Sequence, residues 1–229
     1  MIALLDADIM CYRVGFATEN ETESAAISTM AVFLEELVMF DLTDVESYEL
    51  FLTGKTNFRN SIAVTAPYKG NRKDVPKPKH LKLLREYLQK GWEATVSEGQ
   101  EADDSISIRA TEIGADDAII VSIDKDFLQV NSWHYNFLKK VKQFVKEEEG
   151  LRFFYQQILM GDAADNIKGA GGLGPVKSQK ILKEAMTPYQ LYQCCVEVMG
   201  KERVLENGQL LWLRRFNNQL WTPPNEEKV

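Results

Sequence analysis

The sequence predicts an α/β fold with a mainly parallel sheet flanked by helices. Two observations carry this expectation. Short apolar runs, residues 2–5 and 118–123, end in Asp6 and Asp124, as buried parallel strands do when polar groups stand at their tips. Between such runs, apolar residues recur at three- and four-residue steps, as in Ile27, Met30, Ala31, Leu34, Leu37 and Val38.

Each element follows from local pattern. Residues 2–6 read as a strand, with Asp8 two positions on, and 22–40 as an amphipathic helix. Residues 48–52 form a second strand ending at Thr53-Gly54. Residues 66–78 are a basic loop punctuated by Pro67, Gly70, Pro76 and Pro78. A helix over 80–90 puts Leu81, Leu84, Tyr87 and Leu88 on one face. Residues 92–96 read as a strand, 101–113 as a helix, 118–123 as the clearest strand, and 135–145 as a hairpin or edge strands. Helices are expected over 151–160, from Pro175 to about Ala185, and over 186–200 and 201–220. Trp212, Phe216 and Trp221 read as core or docking aromatics, and 223–229 as a disordered tail.

The 229 residues suit one large α/β domain, or a domain with a small appendage. No run approaches the roughly 18 apolar residues of a membrane span, and the N-terminus lacks a basic, then apolar, secretion signal. A cytoplasmic monomer without membrane contact is expected. Cys11, Cys194 and Cys195 are poor material for a disulfide framework. With only His80 and His134 as soft nitrogen donors, a metal should be a hard one held by oxygens, Mg²⁺ or Mn²⁺.

A net charge of −7 taken alone argues against nucleic acid, but its distribution does not. Lys69, Arg72, Lys73, Lys77, Lys79, Lys82, Arg85 and Lys90 face only Asp74 and Glu86. Lys168, Lys177, Lys180 and Lys183 form a second basic stretch. Between them Glu101, Asp103 and Asp104 put three carboxylates in four positions at a helix start. Capping of a helix dipole accounts for one or two of these, not comfortably for three. Asp124 and Asp126 stand just past a strand tip, and Asp162 and Asp165 share a face if they lie on a helical turn. So many like charges in one crevice need a cation. Four glycines within 169–174 precede Pro175, leaving backbone N–H groups at a helix start for phosphate. Acids to hold metals and bases to hold phosphates describe a metal-dependent phosphodiesterase.

These motifs resemble the 5′-nuclease family, which spans flap endonucleases, the 5′-nuclease domain of bacterial DNA polymerase I and phage 5′→3′ exonucleases. The carriers are Leu4-Leu5-Asp6, Tyr68-Lys69-Gly70-Asn71-Arg72, Glu101-Ala102-Asp103-Asp104, Ser122-Ile123-Asp124-Lys125-Asp126, Gly161-Asp162-Ala163-Ala164-Asp165-Asn166-Ile167 and Gly172-Leu173-Gly174-Pro175-Val176-Lys177-Ser178. The short chain and Leu213-Arg214-Arg215-Phe216-Asn217 are most similar to the small phage exonucleases. The resemblance implies a PIN-like core over 1–160 with a basic helical arch at 66–91. It also implies a helix–three-turn–helix module and C-terminal helices over 161–222. Asp6, Glu101, Asp103 and Asp104 match a first metal cluster, and Asp124, Asp126, Asp162 and Asp165 a second. Lys69 and Arg72 match the pair at the scissile phosphate. Lys73, Lys77, Lys79 and Lys82 of the arch, with Gly169, Gly172, Gly174, Lys177 and Lys180 of the glycine loop, are then DNA contacts. The implied cofactors are two Mg²⁺ or Mn²⁺ ions, with K⁺ at the glycine loop. The implied partner is duplex DNA with a 5′ end or flap, with an RNA–DNA hybrid left open. The implied reaction leaves 5′-phosphate and 3′-hydroxyl ends, in replicative removal of primers or 5′ ends.

One departure stands out. The family's aspartate just after the second strand is missing, with Thr53-Gly54 in its place and Asp8 as a candidate substitute. A non-catalytic branched-DNA binder on the same scaffold is therefore a rival reading. A haloacid-dehalogenase-like phosphatase is a weaker one, since Met10 stands where that signature wants Thr or Val.

Overall fold

The structure is a computed structural model that describes residues 1–226. The chain opens with β1 (Ile2–Asp6), α1 (Ala7–Ala17), α2 (Glu23–Glu36), β2 (Ser47–Thr53) and the one-turn α3 (Arg59–Ile62). It continues through α4 (Leu81–Gly91), β3 (Thr95–Ser97), α5 (Ala102–Ile113), β4 (Ala118–Val121), β5 (Ser132–Asn136) and β6 (Val141–Val145). It closes with α6 (Glu147–Met160), the short β7 (Gly161–Asp162) and β8 (Ile167–Lys168), α7 (Pro175–Leu182), α8 (Pro188–Met199) and α9 (Lys201–Leu211). Two compact units result. One is Met1–Asn57 with Pro76–Val145, and the other is Phe58–Val75 with the chain from Lys146 on. By compactness, α6 groups with the helices that follow it.

The first unit is a six-stranded sheet in the order β3-β2-β1-β4-β5-β6, parallel except for the β5–β6 hairpin. Successive strand side chains alternate between faces. Ala3, Leu5, Leu50, Leu52, Ile119 and Val121 turn to one face, where they pack with Met10 of α1, Met30 and Leu34 of α2, and Leu84 and Leu88 of α4. Leu4, Phe51 and Ile120 turn to the other, which α5 covers. Burying each large apolar side chain is worth about 1.5–3 kcal/mol.

The stretch 66–91, expected as one arch, is divided by the fold. Residues up to Val75 belong to the second unit and include a 3₁₀ turn, Gly70–Arg72. α4 belongs to the first, because Leu84 and Leu88, one helical turn apart, are fully buried. Helix α2 is also shorter than its pattern suggested: it ends at Glu36 and widens into a π turn over Leu37–Asp41.

In the second unit α6 packs against α7, α8 and α9. Phe154, Tyr155, Ile158, Leu191, Cys195, Val204 and Trp221 build its core. Helix α9 stops at Leu211 instead of running on to 220. The buried Arg59 guanidinium donates to Leu210 O at 2.8 Å and Trp212 O at 2.9 Å, satisfying the carbonyls a further turn would have used. The chain then folds back, and Trp221 lies so close to Gly208 that a Cβ there would stand 2.3 Å from its ring. Phe216 is exposed. Residues 223–226 have no regular structure, and the rest of the expected tail, 227–229, lies outside the described residues. All three cysteines are free thiols in helices, and burial pushes Cys11 and Cys195 up to about 12, leaving them inert at neutral pH. Among the described residues no helix is long and apolar enough to cross a membrane.

Candidate active site

In the first unit the carboxylates gather at the carboxyl ends of the parallel strands. Register explains how. Asp6 pairs with Phe51, and Thr53, two residues on, pairs with Ser97. Alternation therefore puts Asp6, Thr53 and Ser97 on the same face as Leu4 and Phe51, the α5 face. Ser122, one residue past β4, joins them and donates its hydroxyl to Asp6 Oδ2 at 2.7 Å. The α5 N-terminus meets this row: Ala102 N–H donates to Thr53 Oγ1 at 2.9 Å.

Glu101 and Asp104 form a reciprocal capping box, with Glu101 N–H donating to Asp104 Oδ2 at 3.2 Å. Capping thus uses two of the three acids there, and Asp103 in the first turn is not part of the box. Asp104 is completely buried and Glu101 nearly so.

Asp6 shows the electrostatic consequence. Burial, chiefly, pushes its carboxyl up to about 7, Asp8 and Asp124 push the same way, and the bonds from Ser122 and Ile9 oppose them. Asp124 is tied in through its N–H, which donates to Ser122 Oγ at 3.0 Å, and its Oδ1 accepts from Asp126 N–H at 2.9 Å. Ser122 is thus the hinge between Asp6 and Asp124.

Asp8, the candidate substitute for the absent acid, reaches the end of β2. Its Oδ2 accepts from Thr53 N–H at 2.7 Å. It is not a bare carboxylate, because Arg85 forms an ion pair with its Oδ1 and donates to Thr53 O at 2.5 Å. Asp8 and Arg85 together clamp the tip of β2.

In the second unit Asp162 and Asp165 do not lie on a helical turn. β7 and β8 form a hairpin, and Asp162 Oδ1 caps its turn by accepting from Ala164 N–H at 2.6 Å and Asp165 N–H at 3.2 Å. Asn166 takes the left-handed backbone (φ 61°) that closes it. Asp165 becomes a hub. Arg72 pairs with its Oδ1 at 2.6 Å, the Tyr68 hydroxyl donates to its Oδ2 at 2.8 Å, and Lys69 Nζ stands 3.7 Å from Oδ2. Arg72 also donates to Ala164 O, and Asn71 to Ala163 O, both at 2.8 Å. The Tyr68-to-Arg72 segment and the Asp162-to-Asp165 turn are therefore one assembly.

Lys73, Lys77, Lys79, Lys82, Lys177 and Lys180 are all exposed, as are Gly172 and Gly174. Gly169 is different. A Cβ there would stand 2.1 Å from the Met160 backbone, so this glycine serves packing of the hairpin on α6. Lys177 Nζ donates to Gly172 O at 3.1 Å, closing the glycine loop on the first turn of α7.

Among the described residues no three His, Cys, Asp or Glu side chains close on one point as a finished metal cage. The first unit's donor set nevertheless fits a hard cation. All its ligands are oxygens, several are buried, and the crowding that raises Asp6 is relieved by positive charge. Sequence patterns gave Thr53, Ser122, Arg85 and Tyr68 no role of their own, although each stands within a motif, a basic run or the departure at the second strand. Only a hydroxyl two residues before the Asp124 acid, and a Tyr beside Lys69, hinted at them.

The model of the 5′-3′ exonuclease N-terminal resolvase-like domain matches residues 1–156. The chain belongs to this family. A 5′-3′ exonuclease of Buchnera aphidicola is 28% identical over 210 residues, covering 83% of this chain and 72% of that protein. DNA polymerase I of Bacillus subtilis is 27% identical over 223 residues, covering 88% of this chain, which spans only 25% of the polymerase. A solved complex of the bacteriophage T5 flap endonuclease with DNA and metal ions shares the fold. Its TM-score is 0.58 at 18% identity, covering 92% of this chain and 93% of that one. The family carries the PIN-like, resolvase-like sheet that the first unit displays.

Proposed function

We propose that this protein is a divalent-metal-dependent 5′→3′ exonuclease and flap endonuclease that hydrolyses DNA to 5′-phosphate and 3′-hydroxyl products, in removal of primers or 5′ ends during replication. The observation that carries the proposal is the acidic edge of the parallel sheet, where Asp6, Ser122 and Asp124 are linked and Asp6 is pushed up to about 7. Family membership and the T5 complex with DNA and metal ions support the same reading.

Asp6, Glu101, Asp103, Asp104, Asp124 and Asp126 would hold divalent ions, Mg²⁺ or Mn²⁺, directly or through water. Asp162 and Asp165 are the ligands proposed for the second of two. Such ions, when bound, supply Lewis acidity to the phosphodiester and lower the pKa of water. The protein's own part is positioning and charge. Ser122 holds Asp6 and Asp124 in register, and the capping box fixes Glu101 and Asp104 on the first turn of α5. Lys69 and Arg72 are held ready by Asp165 and move to a phosphate oxygen as negative charge grows there. Exposed Lys73, Lys77, Lys79, Lys82, Lys177 and Lys180, with backbone N–H groups at Gly172 and Gly174, would track the DNA backbone. K⁺ is proposed at the glycine loop, where backbone carbonyls would hold it and it would supply positive charge toward a phosphate.

The test uses 5′- and 3′-labelled duplex, flap and RNA–DNA hybrid substrates with Mg²⁺, Mn²⁺ or chelator. Metal-dependent release of the 5′ label ahead of the 3′ label is expected. Tight, salt-sensitive binding without cleavage in either metal would replace the enzyme by a DNA-binding protein. Cleavage that survives chelator would remove the metal from the mechanism.

A further inference from the structure

We propose that Arg85 is a fixed cation of the acidic edge and a positioning residue for cleavage: it cancels the charge of Asp8 and locks the tip of β2 against the start of α1. The inference rests on the reading that this edge binds divalent metal for phosphodiester cleavage, and it gives a role to a residue that reading leaves unused.

The placement begins with α4. Its buried Leu84 and Leu88 pack in the core with Met10 of α1, and α4 lies against α1. Arg85, next to Leu84, then reaches two acceptors on two other elements. One is Asp8 Oδ1, in the first turn of α1. The other is Thr53 O, at the last residue of β2, at 2.5 Å. Asp8 closes the ring, since its Oδ2 accepts from Thr53 N–H at 2.7 Å. Both ends of this ring continue into the acidic edge. Asp8 stands two residues after Asp6. Thr53 Oγ1 accepts from Ala102 N–H at 2.9 Å, at the start of the helix that carries Asp103 and Asp104. The planar guanidinium suits this post, because its fork meets a carboxylate and a carbonyl at once and stays charged.

Charge gives a second, independent argument. The side chains of Arg85 and Asp8 are only 24% and 21% exposed, so salt and water screen them incompletely. The field of Asp8 reaches Asp6, whose carboxyl it helps to raise. The buried Cys11 thiol, one turn further along α1, feels all three groups. Burial, chiefly, pushes it up, Asp8 and Asp6 push the same way, and Arg85 opposes them. Arg85 therefore offsets the field that Asp6 and Asp8 create together. An ion pair that served the fold alone would act through stability, whichever partner was lost. A pair that sets the charge of a metal site acts with opposite sign when the acid or the base is removed.

The experiment measures Mn²⁺ affinity without DNA, with free Mn²⁺ counted by its EPR signal, then cleavage of a 5′-labelled flap at saturating Mn²⁺, and a thermal melt in chelator. It compares wild type, Arg85→Ala, Arg85→Lys, Asp8→Asn and the double variant Asp8→Asn/Arg85→Ala. The control is Arg109→Ala, whose ion pair with Glu49 lies four residues back along β2. Arg85→Ala should bind Mn²⁺ about threefold to tenfold more tightly, because Asp8 is left uncompensated. It should nevertheless cleave about tenfold to a hundredfold more slowly, because the ring is open. Asp8→Asn should bind Mn²⁺ more weakly by a similar factor. The double variant should return to wild-type affinity and stay slow. Arg85→Lys should keep the affinity and stay slow, since an ammonium lacks the fork. Arg109→Ala should match wild type in affinity and rate. If wild type binds Mn²⁺ and the Arg85→Ala and Asp8→Asn affinities move in the same direction, or not at all, the charge role fails while the metal-binding edge stands. If Arg85→Ala cleaves within threefold of wild type, the positioning role is overturned. Should Arg85→Ala melt too low to assay, Arg85→Lys and Asp8→Asn decide the same two questions. A wild type that takes up no Mn²⁺ at millimolar concentration overturns both this proposal and the reading beneath it.

Discussion

The two acidic regions solve the same electrostatic problem in opposite ways. On the sheet edge, Asp6, Asp8 and Asp124 crowd one another, and burial pushes Asp6 up to about 7. In the β7–β8 hairpin, Asp165 stands between Arg72, Lys69 and the Tyr68 hydroxyl, so its charge is compensated from within. Asp8 is an intermediate case, balanced by Arg85 alone. The difference suggests a division of labour. At the edge the neighbouring acids add to the charge that Asp6 would carry, whereas in the hairpin Lys69 and Arg72 offset that of Asp165.

The sharpest way to break this comparison is to remove charge from each side and follow cleavage. Asp124→Ala should lower the cleavage rate about a hundredfold or more under saturating Mg²⁺, while DNA binding measured in chelator stays near wild type. A rate within threefold of wild type would mean that the edge does not carry the chemistry. Arg72→Ala should cost less, about tenfold to a hundredfold, with the loss in kcat more than in KM because its contact grows only as charge develops. A pure KM effect would make Arg72 a substrate tether.

Stability separates the two regions by sign. Asp165→Asn leaves Lys69 and Arg72 facing a neutral amide, and should destabilise the second unit by about 1 kcal/mol in urea unfolding. Asp6→Asn removes a buried charge from a crowded site, and Ser122 can turn its hydroxyl to accept. It should leave the metal-free protein as stable as wild type or about 1 kcal/mol more stable. Equal losses in both variants would erase the distinction drawn here.

Much of the first unit was legible in the sequence because it is local. Apolar runs closed by Asp6 and Asp124 are β1 and β4, and the apolar stripe of Leu84 and Leu88 is α4. What pattern could not reach is set by distant partners. Helix α9 ends where Arg59, 151 residues earlier, takes its Leu210 carbonyl. Asp162 and Asp165, three apart, looked helical, yet Asp162 bonds the N–H groups that a helix would have claimed. The hydroxyls of Thr53, Ser97 and Ser122 carry no charge signal, and only strand register aligns them. The departure at Thr53-Gly54 was visible as a gap, but the Asp8–Arg85 clamp beside it was not.

The smallest expected effect tests how the cation-bearing segment is held. Glu206, on α9, accepts from Val64 N–H at 2.8 Å and Thr65 N–H at 2.6 Å, and from the Thr65 hydroxyl at 2.5 Å, just ahead of Tyr68 and Lys69. Burial alone would raise its carboxyl, but the Thr65 and Val64 bonds outweigh that, and with Arg203 nearby they hold it below its ordinary value. A carboxyl lowered in the folded state contributes stability above its unfolded value and loses it as pH falls through the folded one. Wild type should therefore lose a small increment of stability on acidification below the ordinary Glu range, and Glu206→Gln should lose that increment at all pH values and show a flatter profile. Its cleavage rate should fall by a few-fold at pH 8 as the loop ahead of Lys69 loosens, with Mn²⁺ binding unchanged. If Glu206→Gln altered Mn²⁺ binding while leaving cleavage intact, the segment before Lys69 would belong functionally with the acidic edge, and the contrast between a metal-seeking edge and a self-compensated hairpin would fail.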